Sequence, residues 1–196
     1  MKVFRIALLF GTLALASVAA DAQTNIRLRG TITAVDANSL SVKSIDGKDL
    51  KLALTEKTAV AAAKALKLSD LKPGDYVGST TTQRADGVLV ASEVHTIARS
   101  VKEGHGKWDH PGTMMTNANV ASVVQAAGGQ ELTLEYTGGK QKILVPPGTP
   151  VVTTTPADRS FLKPGEYVFV ATLVEADGKM TALRIQVSHG GVKPPQ

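Results

Sequence analysis

The chain has 196 residues, with 22 lysines and arginines against 17 aspartates and glutamates, a formal charge of +5. It contains no cysteine, which excludes disulfides, thiol catalysis, cysteine–zinc sites and a lipid-tethered cysteine together. The basic residues are scattered, and setting aside Lys2 and Arg5 leaves twenty basic against seventeen acidic residues, a surplus of +3 that makes neither nucleic acid nor anionic lipid an expected partner.

Residues 1–22 read as a signal peptide. Lys2 and Arg5 supply the positive start, and the run 6–20 is apolar apart from Gly11, Thr12 and Ser17. Val18-Ala19-Ala20 and Ala20-Asp21-Ala22 are both small-residue cleavage patterns, so the mature chain is expected to begin at Asp21 or Gln23, in the periplasm or outside the cell. The competing reading is an uncleaved anchor, but a run of about 15 residues falls short of the ~20 that span a bilayer comfortably. No later segment is apolar and long enough to cross, which excludes a multi-span transporter.

The remaining chain is duplicated. Leu71-Lys72-Pro73-Gly74-Asp75-Tyr76-Val77 returns 91 positions later as Leu162-Lys163-Pro164-Gly165-Glu166-Tyr167-Val168. Ala85-Asp86-Gly87 returns as Ala176-Asp177-Gly178, and Val94 as Ile185, in the same register. Upstream the register drifts by one, Leu40 and Val42 answering to Leu132 and Leu134. The expected order is a first barrel repeat over 23–97, a linker over 98–118, a second barrel repeat over 119–188 and a disordered tail over 189–196.

Within the first repeat, 26–35, 39–43 and 50–54 alternate apolar and polar residues with a period of two, the signature of half-buried strands. Asp46-Gly47 and Asp86-Gly87 are hairpin turns, because glycine accepts positive φ without steric cost. The alanine-rich stretch 58–68, free of glycine and proline, predicts a short helix. Pro73-Gly74 then turns the chain into a fourth strand over 76–82 and a fifth over 88–97. The second repeat follows the same order over 120–126, 132–136, 141–145, 167–175 and 180–187, with Pro146, Pro147, Pro150 and Pro156 predicting a looser connection in place of the helix. Five short strands per repeat predict an all-β fold of two tandem OB-like β-barrels, with open sandwiches as the alternative.

The pattern Gly30-x-Ile32, Leu40-x-Val42, Leu71-x-Pro73-Gly74-Asp75-x-Val77, Asp86-Gly87 and Ala91 resembles an exported bacterial family of unknown function with repeated OB-like barrels. The segment with Trp108-Asp109 and Met115-Thr116-Asn117-Ala118 is similar to one in short exported proteins of this kind. A metal-transport permease label attached to some such proteins conflicts here with the missing apolar spans. The resemblance implies an architecture and no reaction.

Candidate chemistry is confined to the linker. His105, Asp109 and His110, with Met114 and Met115, offer imidazole, carboxylate and thioether groups that suit copper or zinc, although the spacing matches no established metal motif. His95 and His189 join only if tertiary packing brings them there. The plainer reading is a solvated linker whose Trp108 packs across the seam between the repeats. No Gly-x-Ser-x-Gly elbow or His-Glu-x-x-His motif occurs, and Glu93 and Glu135 are expected to face solvent on their strands, so no catalytic residues and no resident cofactor are expected. The few aromatic residues and dispersed cations do not make a single-strand nucleic-acid groove. The expected function is non-enzymatic: an exported binding or interaction module for an envelope protein, polymer or small ligand. A metal-binding accessory protein is the alternative, and an envelope enzyme the third class.

Overall fold

The structure is a computed structural model that describes residues 23–195; the expected leader and its cleavage sites lie outside the described residues. The first repeat forms β1 (Thr24–Asp36), β2 (Ser39–Ser44), β3 (Asp49–Ala53), β4 (Ala59–Ala65), β5 (Tyr76–Gln83) and β6 (Leu89–Thr96). A short strand β7 (Gly104–Lys107) follows. The second repeat forms β8 (Thr113–Ala126), β9 (Gly129–Tyr136), β10 (Gly139–Val145), β11 (Val151–Ala157), β12 (Tyr167–Val174) and β13 (Met180–Val187). The all-β class, the five-stranded closed barrel and the two repeats are as expected.

The assignment of strands to barrels is not. One ring runs β1-β2-β3-β13-β12 and closes by the antiparallel pairing of β12 with β1 and the parallel contact of Thr181 with Ala53. The other runs β8-β9-β10-β6-β5 and closes by β5 with β8 and β6 with β10. Each barrel therefore takes three strands from one repeat and two from the other. The cores are shared in the same way: Leu28, Ile32, Leu40, Val42 and Leu52 of the first repeat pack with Val168, Val170, Ile185 and Val187 of the second. Val77, Ala91 and Val94 pack with Val120, Leu132, Leu134 and Ile143. Barrel boundaries at 97 and 119 thus have no counterpart in the packing. The repeats exchange their last two strands, as swapped subunits do, within a single chain.

The cause lies in the segment expected to be a helix. A helix over 58–68 would advance 1.5 Å per residue and return the chain to its own barrel, whereas a strand advances about 3.3 Å per residue. Residues 59–65 are the strand β4, and the only helical turn nearby is the 3₁₀ segment Leu68–Asp70. Alanine favours a helix, but β11 on one side and β13 on the other take up the backbone groups of β4, and tertiary pairing overrides propensity. In the second repeat, the proline-containing connection is likewise the strand β11 rather than a loose loop.

The two crossover strands pair antiparallel with Ala63 opposite Thr154, residues 91 apart, so a pseudo-two-fold axis passes through that pair. On either side Val94 pairs with Val151 and Ile185 with Val60, the same contact made twice. The Pro-Gly turns obey it too. Gly74 donates to the Val120 carbonyl at 2.8 Å and Gly165 to the Ile32 carbonyl at 2.9 Å, each turn docking on the other repeat. Gly74 and Gly165 have φ of 91° and 93°, a conformation that costs other residues strain. The tail departs from expectation as well: His189 and Val192 bridge, and Pro194 and Pro195 are buried.

Candidate functional site

β6, β11, β4 and β13 run side by side between the barrels and form the floor of a cleft. Of the two crossover strands, Thr154 of β11 lines it, paired with the small Ala63 of β4. The cleft has a volume of about 440 Å³. Arg27, Phe169, Arg184 and Gln186 line it from one barrel, and His95, Met115 and Asn117 from the other. Ile97, Ala98, Val101 and Trp108 of the connecting segment lie over it, and Pro195 of the tail lines it.

Because the cleft straddles the pseudo-axis, its walls are duplicates of each other, and they have diverged. Arg184 occupies the position of Glu93, Gln186 that of His95 and Phe169 that of Gly78, each 91 residues on. The strand registers place Arg27 opposite Ala171 and Met115 opposite Thr80, making Arg27 the counterpart of Met115, and Arg29 that of Asn117 by the same rule. One wall has become cationic and aromatic. The other carries a thioether, an amide and an imidazole.

Both walls are held by specific contacts. The buried Arg29 is ion-paired with Asp109 at 2.7 Å and lies over the Phe169 ring at 5.0 Å. Arg27 lies over the indole of Trp108 at 4.8 Å. Across the cleft, Nδ1 of His95 is 2.8 Å from Oε1 of Glu93, and both side chains are about nine-tenths buried. Glu93, expected to face solvent, is thus part of a buried carboxylate–imidazole pair, while Glu135 is exposed as expected. The imidazole occupies the room that Gly78 leaves: a Cβ there would come within 2.6 Å of His95 Nε2. No hydroxyl group among the described residues is hydrogen-bonded to His95.

The model of the family described as domain of unknown function (DUF5666) matches this chain twice, over residues 29–95 and 122–186. The chain belongs to that family. The first DUF5666 match spans β2 to β5 and the second β9 to β12, each with parts of the flanking strands, so a match corresponds to a repeat of sequence, whereas a barrel is built from two matches. The sequence repeat is therefore the DUF5666 unit, and the cleft lies between two of them. No curated protein and no solved structure matches the chain.

Of the linker residues singled out for metal, His105 and Met115 line one shallow pocket, while His105, Asp109 and His110 do not form a group. His105 lies on β7 with Nδ1 2.8 Å from the Thr116 hydroxyl, and burial lowers its pKa below the usual imidazole value. Asp109 is engaged by Arg29. His110 sits in the turn between β7 and β8, where its carbonyl accepts from Thr113. Met114 and Met115 are adjacent on β8 and so point to opposite faces, Met115 into the cleft. Among the described residues no group of three His, Asp or Glu side chains is placed to hold a metal ion. His189 packs instead against Phe161, with ring centroids 5.1 Å apart. Sequence reasoning missed Arg27, Arg29, Arg184 and Phe169. The available signal was the repeat alignment: positions where one copy is charged or aromatic and its counterpart is not.

Proposed function

We propose that the protein is a non-enzymatic exported binding module whose ligand occupies the cleft between the two swapped barrels. The observation that carries this reading is the divergence of the two walls. Duplicated positions that serve only folding have kept their character, as in the Pro-Gly turns and the paired cores, while those facing the cleft have changed in charge and shape. A volume of about 440 Å³ lies in the range of small-molecule sites, with apolar rings and a few polar groups converging as such sites require. Export is proposed from the leader-like sequence, and the non-enzymatic reading from a sequence without a Gly-x-Ser-x-Gly elbow or a His-Glu-x-x-His motif.

The test uses Thr154→Phe, which raises the floor at the pseudo-axis. Defined small molecules are screened by thermal shift against wild type and variant, with fluorescence of the sole tryptophan, Trp108, as a second readout. A ligand at one hundred times its dissociation constant stabilises by about 2.7 kcal/mol. That corresponds to roughly 5–10 °C for a chain of this size. Compounds that shift the wild type and leave Thr154→Phe unmoved support the cleft; hits that shift both equally place binding elsewhere. Fractionation of expressing cells, with the mature N-terminus read by mass spectrometry, tests export: a chain retained in the cytoplasm with residues 1–22 intact would overturn it.

A further inference from the structure

We propose that the cleft ligand is a small organic anion, a carboxylate or phosphate ester with a flat apolar body, gripped by Arg27 and Arg184. This deepens the cleft-binding reading and rests on it. The two arginines stand in one row across three neighbouring strands: Arg27 on β1 is opposite Ala171 on β12, and Ala171 is opposite Arg184 on β13. Strand spacing sets their Cα atoms about 10 Å apart. The residue between them on β12, Ala171, carries only a methyl group, which leaves room for both guanidinium groups to approach one bound group.

Neither arginine is neutralised by a described residue. Among the described residues the lining of the cleft includes no carboxylate side chain, and neither Arg27 nor Arg184 forms an ion pair. The contrast with Arg29 in the next row is direct, since Arg29 has Asp109. Arg27 is oriented by the indole of Trp108, and a guanidinium stacked on a ring keeps its in-plane N–H groups available for an anion's oxygens. Trp108 and Phe169 supply the apolar surface for the flat part of the ligand.

The fold does not require this arrangement. In the other barrel the equivalent row reads Met115, Thr80 and Glu93, with no cation, and the strands pair in the same register. The strand register does not need two like charges on one face, since the other barrel keeps it without them, so their presence on one wall alone points to a partner from outside.

The test is calorimetric, with benzoate and phenyl phosphate as probes, benzamide as the uncharged control and inorganic phosphate as the control without a ring. Benzoate or phenyl phosphate is expected to bind with a dissociation constant of about 1 mM or tighter, and benzamide and inorganic phosphate about tenfold more weakly. The tighter of the two probes distinguishes carboxylate from phosphate. Arg27→Gln and Arg184→Gln are each expected to weaken the anion about tenfold or more and to flatten its salt dependence. Both side chains are exposed, so an unchanged melting temperature verifies the fold of the variants. If benzamide binds as well as benzoate, both arginine variants leave the affinities unchanged and Thr154→Phe abolishes them, the cleft stands and the anion assignment falls. Absence of binding by both anionic probes also overturns the assignment. Anion binding that survives in Thr154→Phe overturns the assignment and the cleft together.

Discussion

Cutting the chain in the turn between β7 and β8 tests whether the barrels are truly composite. A protease site introduced after His110 interrupts a turn closed by Thr113 and leaves every barrel strand whole. If each barrel belonged to one repeat, the two fragments would separate as folded domains. In the observed arrangement they cannot. The first barrel loses Leu162, Val168, Val170, Ile185 and Val187 from its core when the second repeat departs. Burial of aliphatic side chains of this size stabilises by about 1.5–3 kcal/mol each, so the five together amount to about 8–15 kcal/mol. That matches or exceeds the 5–15 kcal/mol by which whole domains are stable. The nicked protein is therefore expected to elute from gel filtration as one species of unchanged mass, to unfold in a single denaturant transition, and to hold together with a dissociation constant below about 1 μM, or roughly 8 kcal/mol. Each half made alone should lack monomeric folded structure, and mixing the halves should restore it. Two folded monomeric barrels leaving the column separately, or two independent transitions in the nicked protein, would refute the strand exchange.

Gly78→Ala places a methyl group against His95, and overpacking of this kind is expected to destabilise by about 1–3 kcal/mol, measured by urea unfolding; adding His95→Ala should recover most of the loss, and a double variant as weak as the single one would refute the clash. The lowered pKa of His105 means that the unfolded chain takes up this proton first as pH falls. Stability should thus drop on acidification below the usual imidazole value of 6.5, and level off once the folded group also protonates, with a shallower drop in His105→Gln. Melting temperatures from about pH 8 to about pH 5 measure this, and equal slopes for the two proteins would count against it. Because His105, Asp109 and His110 do not converge, copper, zinc and nickel are expected to shift wild type and a His105→Ala/His110→Ala variant alike; a rise in the wild type alone would restore the linker metal site.

Strand positions, hairpin turns and the duplication are written in local chemistry. Period-two alternation marks which residues of 39–43 or 50–54 face a core, and Pro-Gly or Asp-Gly turns need only neighbours in sequence. Which core each strand faces is a long-range matter. The residues of β12 are apolar on alternate positions whichever barrel they enter, and alternation carries no address. The alanine-rich crossover was misleading for the same reason, since its helix propensity is local and the β11 and β13 partners that outweigh it lie far along the chain.

The candidate site was hidden for a related cause. Arg27 and Arg184 are unremarkable among scattered cations until β12 brings them into one row, and Glu93 reads as solvent-facing until His95 and Gly78 are seen beside it. By itself, then, the sequence determined the all-β class, the two-copy organisation and the turns, because hydrophobic period and backbone preference act between near neighbours. Only the tertiary structure decided that the copies interlace and that a cleft opens at their axis, because both follow from pairings between strands of different repeats, far apart in sequence.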